Sequence, residues 1–414
     1  MPIAVGLSPN TQKDDVRLAL ELLFKPHLWI EGKGVKELEN DFKKYLGCLY
    51  TSSFDSARSS LFAILRCLKI GPGDEVLLQA FTCVAAVNPI LWVGAKPVFV
   101  DVEKDSFNMD TFDLEKKIGK KSRVVIVQHT FGQPAQITKI LSIAKKHKLF
   151  TIEDCAQALG AEFKGRKIGA FGDAAIFSFG RDKVISSVFG GMAATSDPSL
   201  GRKLEDFQKR LKFPSRFWVF QQLIHPVAFS LILPLYNFFN LGKGILVLLQ
   251  RLRLLSVPVT PEEKKGKKPK NLPLRLPNAL AVLAKHQLGK IEDFNKKRRK
   301  LALFYQRKLK DLEVGLPKEE RGTESVFLRF PLKVKKAQDF YNFAKKRKIL
   351  LGRWYSNVID PKGTDLRKIG YKVGCCPMAE KTARVCLNLP TYPRMSLSEA
   401  QKVVDLLWQF QSKK

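Results

Sequence analysis

Between Glu75 and Thr195 short β-branched runs alternate with stretches of helical period, and no other feature limits the fold of this chain so tightly. The runs are EVLLQA, KPVFVDV, RVVIVQHT, FTIED and AAIFSF. Between them lie pieces such as AQITKILSIAKKHK, whose apolar residues recur three and four apart. Strands of this kind need cover on both faces, so the alternation predicts an α/β fold with a mostly parallel sheet clad by helices. Such sheets gather chemistry at the carboxyl ends of their strands. HTFGQP, EDCAQ and SFGRDK fall at those ends.

A chain of 414 residues has room for more than one domain. The reading places a large α/β domain over 1–276 and a smaller α+β domain over 277–414. The latter opens with one long helical pattern, NALAVLAKHQLGKIEDFNKKRRKLALFYQRKL, and closes on a helix with a capping box, Ser396 and Glu399.

Residues 211–271 read as an insert. From Phe217 to Asn240 no residue is formally charged, and Arg216 and Lys243 flank the stretch. Its length would permit a spanning helix, but Pro226, Pro234 and the polar Gln221, Gln222, His225, Asn237 and Asn240 argue against one. Two readings stay open. It is an interfacial segment that touches an anionic membrane through 213–256, or it is a helical pair packed on the enzyme or a partner subunit. The net charge of +33 favours the membrane surface. No nucleic-acid partner is expected, because the basic runs KKGKKPK and NKKRRK lack interleaved aromatics on which bases could stack. Seven cysteines without CxxC or Cys/His ligand spacing predict a reduced compartment and no metal site. With no signal-peptide layout at the N-terminus, the expected location is cytoplasmic, peripheral at the inner membrane face if the insert binds lipid.

Small residues precede a helix in SSFDSARSSLFAILRCL, and a helix start of this type can hold a phosphate or simply be a serine cap. Asp154 ends the strand FTIED, and Lys183 follows AAIFSF. Each has an ordinary reading, as a helix cap and a surface lysine. Together, a phosphate cradle, a carboxylate and an amine are the parts that pyridoxal 5'-phosphate needs for its phosphate, its pyridine nitrogen and its aldehyde.

The stretch EDCAQALGAEFKGRKIGAFGDAAIFSFGRDKVISSVFGG resembles the central signature of the DegT/DnrJ/EryC1/StrS family. Those are fold-type I pyridoxal-phosphate enzymes that mostly aminate nucleotide-linked keto-sugars. The likeness extends through GKGVKELENDFKKYLG, GPGDEVLLQAFTCVAAVNPILWVGAKPVFVDV, VQHTFGQPAQI and LNLPTYPRMSLSEAQKVV. It implies a seven-stranded-type sheet and a homodimer with active sites at the interface. The implied substrates are a keto-sugar and an amino-acid donor, glutamate, in cell-surface glycan or polysaccharide biosynthesis.

By position, Lys183 matches the Schiff-base lysine and Asp154 the partner of the pyridine nitrogen. Gln157 matches the amide at the cofactor's phenolic oxygen, and Ser178 matches a phosphate-binding serine. Ser56, Ala57 and Arg58 fall at the phosphate turn, and His129 falls near the cofactor. Five positions depart from the pattern. Ala57 and Arg58 replace Gly-Thr, so backbone amides or the Arg58 guanidinium would serve the phosphate. Cys83 stands where an aromatic stacks on the ring, Phe189 replaces a glutamate, and Pro273 replaces the asparagine of an N-x-R motif, leaving Arg275. The rival readings are a dehydratase, against which Lys183 argues, a non-catalytic regulator or scaffold, and a membrane-associated enzyme acting on a lipid-linked sugar.

Overall fold

The structure, a computed structural model, describes residues 2–7, 10–236, 241–251 and 254–412. Asn237 and Asn240 of the insert lie outside the described residues. Seven strands form the central sheet: β1 (Tyr50–Phe54), β2 (Glu75–Gln79), β3 (Lys96–Val100), β4 (Ser122–Gln128), β5 (Phe150–Asp154), β6 (Ala174–Ser178) and β7 (Gly191–Thr195). Their spatial order is β1-β7-β6-β5-β4-β2-β3. Strand β7 runs antiparallel to both neighbours and every other pairing is parallel. All five strands expected from the sequence are present. The two additional ones, β1 and β7, are YTSSF and GMAAT, too polar or too small-chained to advertise themselves as strands.

Helices α1 (Lys13–Leu23), α2 (Gly34–Leu46), α3 (Ala57–Cys67), α4 (Val84–Trp92), α5 (Thr111–Lys117), α6 (Ile137–Lys146) and α7 (Pro198–Arg210) clothe the sheet. Successive side chains on a strand point to opposite faces, and the core divides accordingly. Leu77, Val125 and Val127 join one apolar cluster, whereas Val76, Leu78, Val124 and Ile126 join another. Both faces are thus dry, as the continuous apolar runs require.

The insert forms α8 (Arg216–Leu235) and α9 (Leu241–Arg251), and Ser215 caps α8 by accepting the Trp218 N–H at 3.2 Å. Helix α8 packs on α1, α9 and α10 (Asn278–Leu288), with Val219 and Leu223 fully buried in the main core and Gln222 and His225 buried beside them. Its inner face is therefore protein-packed. Leu231, Leu241, Val247 and Leu248 remain exposed.

The remaining elements are α11 (Ile291–Leu309), β8 (Phe330–Lys333), α12 (Ala337–Lys346), α13 (Pro377–Val385), β9 (Cys386–Leu389) and α14 (Leu397–Gln411). Of these, α11, β8, α12, β9 and α14 contribute to a third cluster around Tyr305, Phe330 and Phe340, to which Ile3 also belongs, whereas Ala379 and Ala383 of α13 join the second. The single long helix expected from Asn278 is broken near Gly289 into α10 and α11. Ala279, Leu280 and Ala284 of α10 lie in the main core against α2. Helix α10 therefore packs in the main core. Helix α14 carries the expected capping box, Ser396 Oγ accepting from Glu399 N at 3.1 Å.

Candidate active site

The carboxyl ends of β4, β5 and β6 lie side by side at one edge of the parallel sheet. Asp154 closes β5 and is buried, with Oδ1 accepting the Ala156 N–H at 3.0 Å. Burial raises its carboxyl above the ordinary value, opposed by that N–H and by the charge of Lys183. Lys183 follows β6, half-buried, and its amine lies 5.0 Å from the centroid of the Trp354 ring. Desolvation pushes the amine below its usual range, and Asp154 opposes this most strongly. The turn that carries it is pinned from outside the site. Asn10 Nδ2 donates to Lys183 O and, at 3.1 Å, to Val184 O, and the fully buried Arg298 donates to Val184 O at 2.8 Å. A lysine amine held in this way is a reactive group with a fixed address.

Ser56 caps α3, its hydroxyl accepting from Ser59 N. Among the described residues the Ala57 and Arg58 N–H groups of that first turn make no hydrogen bond to protein. A helix start with free amides suits an anion. Strand β7 brings Ser178 to the same place: Ser178 is registered with Gly191, whose added Cβ would lie 2.3 Å from Ala57 N. Ser178 Oγ accepts the Gly180 N–H at 3.3 Å. The Arg58 guanidinium is committed elsewhere. It pairs with the buried Glu263 and donates to Pro258 O at 2.7 Å, both on the segment after α9. Of the two phosphate partners the sequence left open, the backbone amides are the ones free to act.

Gln157 is buried behind the site, Oε1 accepting from Phe131 N at 2.8 Å and Nε2 donating to Tyr355 Oη at 2.6 Å. His129 is fully enclosed, and both ring nitrogens are occupied. Nδ1 accepts from Ala135 N at 3.0 Å, so Nε2 carries the proton and faces Glu153 Oε2 at 3.2 Å. Glu153 also accepts from Gly169, Phe171 and Gly172. Burial would raise its carboxyl, but His129 and those N–H groups prevail and hold it below the ordinary value. His129 thus braces β5 from beneath Asp154. His129, Glu153 and Cys155 are grouped closely enough for a metal, as are Asp14, Asp15 and His286. The donors just named fill the first group, and Lys290, at 2.8 Å from each aspartate, fills the second.

Cys83 is the residue before α4, and the short strand Thr82–Cys83 pairs in parallel with Ile359–Asp360. Aromatic surface comes from elsewhere. Tyr355 is buried with its ring 5.3 Å from Phe81 and 6.2 Å from Phe131, and Trp354 stacks beside it at 6.1 Å. Phe81 and Phe131 both hold left-handed backbone, φ 59 and 58, at strand-end turns, a costly arrangement typical of functional sites. Sequence reasoning missed Glu153, Arg329, Trp354 and Tyr355. ILLGRWY reads as an ordinary strand, and nothing local places it against β5 and β6. The donor set fits pyridoxal phosphate: a buried carboxylate, a desolvated lysine amine, and hydroxyls with free amides at a helix start.

The sequence profile of the DegT/DnrJ/EryC1/StrS aminotransferase family matches residues 10–215 and 249–408. The unmatched stretch is α8 with most of α9. The chain is 28% identical to the "Pleiotropic regulatory protein" of Geobacillus stearothermophilus, covering 96% of this chain and 95% of the relative. It is 27% identical to the GDP-perosamine synthase of Escherichia coli O157:H7, covering 93% of each. Among solved structures, DesV of S. venezuelae superimposes with a TM-score of 0.75 at 25% identity, over 96% of this chain and 94% of that one.

Proposed function

The chain belongs to the DegT/DnrJ/EryC1/StrS aminotransferase family, and from that premise we propose that it transfers an amino group from an amino-acid donor to a nucleotide-linked keto-sugar. The observation that carries the proposal is the desolvated Lys183 amine, held at a strand end with the buried Asp154 carboxylate in electrostatic reach. Among the relatives, the name GDP-perosamine synthase supports a nucleotide-linked sugar over a lipid-linked one, and glycan biosynthesis as the setting.

When bound, pyridoxal phosphate supplies an aldehyde that captures the amine and a ring that draws electrons from the carbon losing its proton. Asp154 would hold the pyridine nitrogen, and its buried carboxylate gains most from a positive partner. Ser56, Ser178 and the amides of Ala57 and Arg58 would hold the phosphate. Gln157 would orient the phenolic side, and Cys83 and His129 border the site. Lys183 Nζ takes the proton from the donor's Cα and returns it, a role for which a depressed pKa suits it near neutral pH. Trp354 and Tyr355 exclude water from that amine.

Lys183→Ala is expected to abolish turnover and remove the cofactor's visible absorption band. Retention of both in a protein that turns over a keto-sugar would sink the assignment. One site used twice gives ping-pong kinetics, which a regulator without catalysis would lack.

Two coarser features accompany this reading. The subunit pairs with a second copy, which light scattering would test. The exposed face of α8 and α9 touches an anionic bilayer, supported by Leu231, Leu241, Val247 and Leu248 beside a net charge of +33. Co-sedimentation with phosphatidylserine vesicles is the check, and failure to pellet leaves the helices as packing elements alone.

A further inference from the structure

Lys183 N donates to Gly180 O at 3.2 Å, closing a turn with Arg181 and Asp182 at its centre. The side chains of this turn leave in three directions. The Lys183 amine faces the Trp354 ring, and Asp182 meets Arg329 at 3.7 Å. Arg181 leaves toward the insert, where its Nη2 donates to Ser256 O and to Ser256 Oγ, each at 2.6 Å. Ser256 Oγ donates in turn to Gln222 Oε1 at 2.8 Å, and Gln222 Nε2 donates to Trp218 O, one turn back on α8, at 2.9 Å. A polar relay thus runs from the backbone of α8 to the residue two before the reactive amine.

Gln222 is fully buried on the inner face of α8, beside Val219 and Leu223. An amide in such a place costs free energy unless its ends are bonded, and here both are. Burial lowers the pKa of Arg181 to about 10, with Asp182 opposing. The guanidinium therefore stays charged at neutral pH, and its bonds to Ser256 are charge-assisted. It also lies 5.4 Å from the centroid of the Phe189 ring, which itself meets Trp218 of α8. Asn10 and Arg298 hold the exit of the turn, at Lys183 O and Val184 O, and leave its centre to Arg181. Gln222 falls outside the residues that the family profile matches, so the far end of the relay is particular to this chain.

We propose that Arg181 is a positioning residue, through which helix α8 of the insert sets the place of Lys183 by way of Ser256 and Gln222. This rests on the aminotransferase reading above. Lys183 has to reach the cofactor's aldehyde and then the donor's Cα proton, and a misplacement of about 1 Å in such a group costs on the order of 100-fold in rate.

Gln222→Leu and Ser256→Ala cut the relay while keeping apolar packing around it. In the holoenzyme each is expected to lower kcat about 10- to 100-fold, with KM for glutamate and keto-sugar held within about threefold. A second readout needs no turnover. In full-length protein stripped of cofactor, capture of added pyridoxal phosphate by Lys183, trapped with borohydride and read by peptide mass, should slow by a similar factor. Arg181→Met should do the same, and Arg181→Lys should recover part of the loss. Arg181→Met combined with Gln222→Leu should be no slower than either alone. Arg216→Ala frees the start of α8 from Pro26 without touching the relay, and should leave capture at the wild-type rate. If the relay variants lower Tm alone, or if Arg216→Ala slows capture as much as they do, the role is packing and the proposal is overturned. Ser256→Ala and Arg181→Lys keep the test open should Gln222→Leu not fold. Hydrogen exchange of the peptide 178–184 should quicken in the relay variants, and unchanged exchange counts against the proposal. Should wild-type Lys183 never capture pyridoxal phosphate, the aminotransferase reading fails, while the exchange measurement still reports on the relay.

Discussion

Asp55 sits one residue before the cap of α3 and is buried, Oδ1 accepting from Leu274 N at 3.0 Å. Burial lifts its carboxyl from 3.8 to about 6, against the pull of Ser59, Leu274 and Arg58. Between those values the folded protein keeps a proton that the unfolded chain has released. Stability therefore falls as pH rises through that window, by on the order of 2–3 kcal/mol in all. Asp55→Asn should melt higher than wild type at pH 8, and the gap should shrink towards pH 5; a pH-independent difference in Tm would contradict this. Gly191 is the other single residue with a sharp demand. Its Cβ would fall 2.3 Å from Ala57 N and 2.4 Å from Ser56 C, which are backbone atoms that cannot step aside. Gly191→Ala should cost at least about 2 kcal/mol and weaken cofactor uptake together with Tm, both measurable on one sample.

At the scale of elements, the insert and the departures from the family pattern belong together. Arg58 pairs with Glu263, Phe189 meets Trp218 of α8 at 5.4 Å edge-to-face, and Arg275 lies 4.2 Å over Phe213. Arg181, two residues before Lys183, donates to Ser256 O and Oγ at 2.6 Å, and Ser256 Oγ donates to Gln222 of α8. The insert is thus tied to both the phosphate turn and the lysine turn. Breaking a buried ion pair by removing one partner leaves the other charge uncompensated. Glu263→Ala should therefore destabilise the protein by about 3 kcal/mol in denaturant unfolding, and Glu263→Ala with Arg58→Met should recover much of it. Equal stability of single and double variants would show that the pair is not coupled.

At the scale of the whole molecule, the inner face of α8 is part of the core. Val219 and Leu223 are fully inaccessible, so replacing 216–248 by a short linker should expose the apolar wall of α1 and α10. The expected result is aggregation or a lowered Tm, and a soluble truncated protein of unchanged Tm would mean that the helices only decorate the surface. The apolar composition of this stretch permitted a membrane or a protein neighbour, and composition alone cannot choose between two apolar surroundings. Packing chose protein for the inner face, because α1 and α10 present a complementary surface.

The sequence by itself determined the parallel sheet, since five apolar runs separated by helical stretches leave few other ways to bury both faces of each strand. It also determined the order of Asp154, Ser178 and Lys183, because strand ends carry chemistry whose spacing is local. Tertiary structure alone decided what stands opposite them. Trp354, Tyr355 and Arg329 arrive from more than 140 residues downstream, and no local period records which side chains a second body will lay over the first. His129 shows the same limit in reverse. Its motif placed it near the cofactor, but only the fold shows both ring nitrogens consumed by Ala135 and Glu153. Contacts between neighbours along the chain leave a pattern, whereas contacts made by docking two bodies depend on shapes that exist only once each has folded.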